Sequence, residues 1–161
     1  MVTAMAEILV RNIEYRDIES VCDIMLSIDP YKTLGYTPDI CIETVISNIE
    51  EGWGAVAEID GRIVGFVLFR VFDGFPLGGY IRALGVHQGY RSMGVGTRLM
   101  DYAEGVIFKY RENVFLLVSS FNEQAIRFYM KRGYKVIGVI ENAIVKGYHE
   151  IIMRKTKNSQ R

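Results

Sequence analysis

A strand that runs into a glycine-containing turn and re-emerges as a helix constrains this chain more than any other feature. Residues 80–86 (YIRALGV) read as extended, and Val95, Leu99, Ala103, Val106 and Tyr110 then recur at intervals of three and four, the spacing of a helix with one apolar face. Between them stands Arg91-Ser92-Met93-Gly94-Val95-Gly96, with two glycines where the helix begins. Glycine costs about 1 kcal/mol against alanine inside a helix, so two of them there imply that something must approach the backbone closely. The start of a helix presents unpaired N–H groups and about half a positive charge, and an anion placed there gains roughly 0.3–1 kcal/mol. Arg91 adds a permanent charge and a forked donor. The loop is suited to a phosphate ester or a pyrophosphate.

The elements around this junction set the fold class. Residues 7–13 form a first strand, and Asp17 can cap a helix through about Ile28 whose buried face carries Ile18, Val21, Cys22 and Met25. After the loop DPYKTLGYTPD, a second helix runs from about Asp39 to Glu50 along Ile42, Val45, Ile46 and Ile49. The period then changes. WGAVAEIDGRIVGFVLFRVF holds two β-rich runs joined by Asp60-Gly61, the strongest short hairpin signal. NVFLLVSS is apolar almost throughout, as expected of a strand buried on both faces. Asn122 opens a helix to about Lys131, Gly133 stops it, and strands near 134–140 and 144–153 follow. The order is β-α-α-β-β-β-α-β-α-β-β, which predicts one mixed α/β sheet with helices on both faces.

At 161 residues, the chain is expected to form one domain over 1–161, with an ordered core of about 7–155 and a frayed tail at 156–161. A formal net charge of zero argues against the multiple phosphate contacts of non-specific nucleic-acid binding. No apolar run reaches the ~18 residues of a membrane span, and the first residues lack the layout of a signal peptide, so a cytoplasmic location is expected. Cys22 and Cys41 each sit among apolar residues at helical spacing, the pattern of separate buried thiols. No metal-ligand spacing is present.

Two phosphate-binding motifs fail on particular residues. A P-loop needs Gly-x-x-x-x-Gly-Lys-Ser/Thr, which is absent. A dinucleotide fingerprint needs a third glycine where Leu99 stands, and an acidic residue closing the next strand, where the chain has VFLLVSS. The segment Arg91-x-x-Gly94-x-Gly96 instead resembles the Arg/Gln-x-x-Gly-x-Gly/Ala motif of the GNAT superfamily of acetyl-CoA-dependent N-acetyltransferases. NEQAIRFYMKRGY resembles that family's second signature, Asn-x-x-Ala-x-x-x-Tyr running into Gly-Phe/Tyr. The likeness extends at low detail over 7–155 and at high detail over 80–134.

The resemblance implies a mixed, mostly antiparallel sheet of about six to seven strands, flanked by about four helices and splayed between its central strands. The pantetheine arm of acetyl-CoA would fill the splay, paired to the backbone of Leu84 and Val86. The amides of Arg91, Ser92, Met93, Gly94, Val95 and Gly96, with the Thr97 hydroxyl, would hold the pyrophosphate. Gly85, between the two pairing residues, is consistent with another backbone approaching closely. Asn122 and Tyr129 are seven apart, nearly two helical turns, and so share a face. Asn122 is a helix cap that could also touch the cofactor. Tyr129 would be the acid that protonates the departing thiolate, with the Leu84 amide polarising the thioester carbonyl.

The acceptor side is less determinate. Loops 29–38 and 72–79 are expected to rim an amine pocket with Tyr31, Tyr36, Asp73 and Phe75, beside Tyr80 of the strand. Many members of the family place a glutamate early in the central strand, where this chain has Tyr80. Asp73, His87, Glu141, His149 and Glu150 are candidate bases by residue type alone. The implied reaction is direct acetyl transfer to a small-molecule or peptide amine, by a monomer or homodimer, without nucleic acid or membrane. A non-catalytic binding module of the same fold is the alternative.

Overall fold

A computed structural model describes residues 6–158. Its elements are β1 (Leu9–Asn12), α1 (Ile18–Ser27), α2 (Pro38–Glu51), β2 (Trp53–Ile59), β3 (Arg62–Gly74), β4 (Gly78–Val86), α3 (Val95–Ile107), β5 (Asn113–Ser119), α4 (Glu123–Lys131), β6 (Lys135–Ile140) and β7 (Glu150–Thr156). The sheet has seven strands in the order β1-β2-β3-β4-β5-β7-β6. Only β4 and β5 run parallel; the remaining neighbours are antiparallel.

The alternation of side chains divides the core into two layers. Val67, Phe69 and Val71 of β3 join α3 residues Leu99, Met100 and Ala103 on one face. Phe66 and Leu68 join Val21, Met25 and Val45 of α1 and α2 on the other. Asp60 and Gly61 both have positive φ, 51° and 75°, as a two-residue primed hairpin turn requires.

Local chemistry moves several expected boundaries. Asp17 does not cap α1 with its side chain; its carboxylate takes two 2.8 Å bonds from Arg11 and one from the Glu14 N–H. Helix α2 starts at Pro38, with the Thr37 hydroxyl accepting from the Ile40 N–H, the first-turn position that proline favours. The last strand begins at Glu150 rather than near 144, because Asn142 and Gly147 adopt positive φ and fold 141–149 into a loop. Cys22 and Cys41, expected as separate thiols, are joined in a disulfide that ties α1 to α2 across 5.8 Å between Cα atoms. Of the expected tail, residues 159–161 lie outside the described region, while the Lys157 N–H still donates to the Glu112 carbonyl.

The feature that positions the site is a split between β4 and β5. Their pairing covers only Gly79↔Val114, Tyr80↔Phe115 and Ile81↔Leu116. Beyond Ile81, β4 remains paired to β3 through Val86, while β5 remains paired to β7 through Ser119. The two halves of the sheet therefore part along one line, and the backbone edges facing the gap have no strand partner. Leu117, expected to be buried on both sides, is 38% exposed there.

Candidate active site

A cleft of about 770 Å³ occupies this split. Its walls are β4 from Tyr80 to Val86, β5 from Leu116 to Ser119, the turn into α3, the exposed side of α4, the loop 28–36 and Glu150.

The phosphate-sized end is built on α3. Gly94 is its N-cap with φ +86°, a conformation open to glycine and strained for other residues. A Cβ at Gly94 would meet nothing within 4 Å, so glycine is required here by backbone conformation, while the added space leaves the N–H groups accessible. A Cβ at Gly96 would lie 3.5 Å from the Phe128 ring, within ordinary contact. Arg91, Ser92, Gly94, Val95, Gly96 and Thr97 all line the cleft, as do Arg127 and Lys131 of α4. Met93 does not line it, and its side chain is 41% exposed.

In the middle of the cleft lies the backbone of Leu84. Both its N–H and its C=O turn away from β3, and both are engaged by one side chain. The Leu84 N–H donates to the Tyr31 hydroxyl at 3.0 Å, and that hydroxyl donates to the Leu84 carbonyl at 3.1 Å. Burial pushes the Tyr31 phenol well above its ordinary range, so it stays protonated and able to donate. Val86 has the same parity along the strand and faces the same gap. Gly85 has a different role from the expected one. A Cβ there would come within 2.5 Å of the Phe66 ring and 2.9 Å of Ile28, so this glycine admits the protein's own core.

From α4, Asn122 accepts the Ala125 N–H at 3.3 Å as the helix cap. Tyr129 is 7% exposed and packs edge-on against Phe128 and Tyr134, with ring centroids 5.3 and 5.7 Å away. Burial raises its phenol above the ordinary value, against the Arg132 guanidinium, which lowers it. Among the described residues no protein group hydrogen-bonds its hydroxyl, which is left as a donor at the cleft wall.

The acceptor-side candidates divide. Tyr31, Tyr36 and Tyr80 line the cleft. The register between β3 and β4 leaves Arg82 as an extra, unpaired residue. Such a bulge re-aims a side chain, and the Arg82 guanidinium reaches the Tyr36 hydroxyl at 3.2 and 3.3 Å. Asp73 lies outside the cleft, 67% exposed and 3.7 Å from Arg70. Phe75 is also outside, edge-on to Phe115 at 5.1 Å.

The candidate bases separate by burial and by existing bonds. His87 accepts the Gly89 N–H and His149 accepts the Asn142 N–H, so each has one ring nitrogen occupied in a turn. Glu141 is exposed. Glu150 alone of the five is buried, at 5%, and lines the cleft. Its position follows from the β5–β7 register, which sets it opposite Ser119. No local sequence pattern signals that register, the aim of Arg82 or the Tyr31–Leu84 contact.

Comparison with known proteins agrees with this architecture. The chain is 29% identical over 109 residues to an N-alpha-acetyltransferase of Sulfurisphaera tokodaii, covering 61% of this chain and 65% of that one. It is 35% identical over 104 residues to an uncharacterized N-acetyltransferase of Methanocaldococcus jannaschii, covering 63% and 65%. The chain thus spans about 65% of the length of these curated relatives. The crystal structure of Ard1 from Thermoplasma volcanium superposes with a TM-score of 0.78 at 26% identity, over 92% of this chain and 97% of that one. Residues 18–134 match the profile of the acetyltransferase (GNAT) family, and with that match covering most of its length, the chain belongs to this family.

Proposed function

We propose that this protein transfers the acetyl group of acetyl-CoA to a primary amine, with the α-amino group of a polypeptide as the first candidate. The observation that carries the reading is the parted β4–β5 edge, where Leu84 and Val86 have no strand partner on the cleft side and which leads to the turn at the start of α3. A diphosphate at Arg91–Thr97 and an amide-bearing arm along Leu84 and Val86 would satisfy both ends with one ligand. The α-amino preference draws on the relatives, since the Sulfurisphaera protein is named an N-alpha-acetyltransferase.

In this scheme a neutral amine attacks the thioester carbon, and the Leu84 N–H stabilises the oxygen as it gains charge. For that to happen the Tyr31 hydroxyl must leave the Leu84 amide. The C–S bond breaks, and the thiolate takes the phenolic proton of Tyr129, whose hydroxyl has no competing protein partner among the described residues. Such a donor contributes typically 10²–10⁴ in rate.

A binding module without turnover is the second reading. It is favoured by the Tyr31–Leu84 contact, which occupies the atoms that acyl transfer needs. One experiment separates the two. The protein is incubated with acetyl-CoA and a pool of short unblocked peptides, and acetylated products are identified by mass. Acetylation that falls at least about 10²-fold in Tyr129→Phe supports catalysis. Stabilisation by acetyl-CoA without any product supports the binding module.

A further inference from the structure

Glu150 opens β7 and is held rigidly from one side only. Its Oε1 accepts the Ser119 hydroxyl at 2.9 Å. Its Oε2 is buried and, among the described residues, has no hydrogen-bond partner and no cation paired to it. A buried carboxylate oxygen in that state is unusual, because most buried polar atoms are satisfied. The orphan borders the cleft rather than the core.

The register fixes where along the cleft it stands. Ile81 and Leu116 are the last residues at which β4 and β5 pair. Leu84 and Ser119 each lie three residues further on, on opposite walls of the split, and Ser119 is the register partner of Glu150. Because Arg82 is the bulged extra residue of β4, Leu84 is two register steps past the last pair and Ser119 three, so the carboxylate stands across the gap about one residue beyond the Leu84 amide. Phe115, Leu117 and Ser119 alternate with Val114, Leu116 and Val118, which belong to the α3 layer. Glu150 accordingly lies on the α1–α2 side of the sheet, away from the phosphate turn. Tyr80 of β4 is near it, and Arg82 of β4 and Tyr36 of the loop before α2 line the same cleft. The Arg82 guanidinium donates to the Tyr36 hydroxyl and forms no ion pair with Glu150 among the described residues, and Tyr80 feels the Glu150 charge, which adds to the burial that raises its phenol. Neither neutralises Oε2.

We propose that Glu150 receives the acceptor: Oε2 pairs with the ammonium group of the incoming primary amine and removes its proton before attack. This inference rests on the acetyl-transfer reading above. One N–H bond of the ammonium breaks as an O–H bond forms on Oε2. The freed lone pair forms the N–C bond, the C–S bond breaks, and the thiolate takes the Tyr129 proton. The second N–H proton, lost as the amide forms, restores the Tyr129 phenol, and the Oε2 proton passes to solvent. The net result is one proton released per acetyl group transferred. Withdrawal from water raises the carboxylate's proton affinity and lowers the amine's, and it must outweigh the attraction between the opposite charges, which does the reverse. Burial already raises the Glu150 carboxyl, while the Ser119 bond lowers it.

The test uses the full chain, acetyl-CoA and the pool of short unblocked peptides, with kcat/KM followed from pH 6 to 10. Glu150→Gln keeps the shape and the Ser119 neighbour but removes the charge and the basic oxygen. At pH 6.5 its kcat/KM is expected to fall at least about 10²-fold. The deficit should shrink as pH passes about 8, where α-amines are already neutral. Peptide affinity in the presence of CoA should weaken at least tenfold, while stabilisation by acetyl-CoA stays at the wild-type value. Ser119→Ala should remain active with the acidic limb of its profile moved to higher pH, because the bond that favours ionised Glu150 is gone. Wild-type peptide affinity and an unchanged pH profile in Glu150→Gln would overturn the assignment, since a structural carboxylate would alter only the melting temperature. A wild type stabilised by acetyl-CoA that neither binds nor acetylates any peptide would overturn it as well. No stabilisation of the wild type by acetyl-CoA or CoA would remove the transfer reading itself.

Discussion

Among the described residues, the buried glutamates Glu104 and Glu150 are treated oppositely, and so are the buried tyrosines Tyr134 and Tyr129. Glu104 of α3 accepts from the Arg132 Nε at 3.1 Å, from the Tyr134 hydroxyl at 3.0 Å and from the Lys155 ammonium at 2.6 Å. Both oxygens are filled, and the cluster ties α3, the end of α4 and β7 together. Glu150 has one bond, to Ser119, and an empty oxygen, and Tyr129 has a hydroxyl with no protein partner among the described residues. Tyr134 and Tyr129 stack edge-on at 5.7 Å, so one phenol faces a saturated network and the other faces the cleft. The fold completes its polar bonds where a helix is fastened to the sheet and leaves them incomplete along the cleft.

The sharpest way to break this contrast is Glu104→Ala. It strands Lys155 and the Tyr134 hydroxyl without their carboxylate and leaves Arg132 only the exposed Asp101, and removing one partner of such a cluster costs about 3 kcal/mol. Urea denaturation should show that loss; a loss under about 1 kcal/mol would mean that the cluster is solvated rather than structural. Next in size is the comparison of the two phenols. Tyr134→Phe should destabilise by about 1.5–3 kcal/mol, because its hydroxyl bonds a charged oxygen. Tyr129→Phe should change stability by less than about 0.5 kcal/mol. Equal losses in the two variants would contradict the division.

A smaller effect is expected at the one cleft group that is satisfied internally. Tyr31→Phe removes the hydroxyl from the Leu84 amide and carbonyl, so the free protein should lose about 1 kcal/mol. Acetyl-CoA should then raise the melting temperature more than in the wild type, since it no longer competes with that hydroxyl. An unchanged ligand response would show that Tyr31 does not occupy the cofactor's place. Smallest is the stability of Glu150→Gln. A carboxyl raised in the folded state contributes stability that is present below the unfolded carboxyl's range, about 4.3, and lost as pH rises through its folded value. The Gln variant should therefore match the wild type near pH 4 and melt slightly higher at pH 7. A variant that melts lower at pH 7 would mean that Glu150 has a stabilising partner.

Much of the scaffold was legible because it depends on local pattern. The apolar spacing of α3, the Asp60-Gly61 turn and the strand–glycine–helix junction each lie within a short window, and the element order follows from them. The misread features involve distant segments. Asp17 looked like a helix cap until Arg11 of β1 reached it. The Cys22–Cys41 bond depends on how α1 packs on α2. Gly85 looked like room for a ligand, but its space is taken by Phe66 of the neighbouring strand. Glu150 was one of five acidic or basic residues of similar promise, and only the β5–β7 register sets it apart. Loop position places Asp73 and Phe75 on the acceptor rim, but neither lines the cleft; Asp73, near the end of β3, borders a neighbouring hollow with Tyr80 and Arg82.

The most direct measurement is a crystal structure of the protein with coenzyme A. The pyrophosphate is expected on the amides of Gly94–Gly96, the pantetheine arm paired to Leu84 and Val86, and the Tyr31 hydroxyl displaced from the Leu84 amide. Coenzyme A bound elsewhere, with the Tyr31–Leu84 bonds intact and the turn before α3 empty, would contradict that placement.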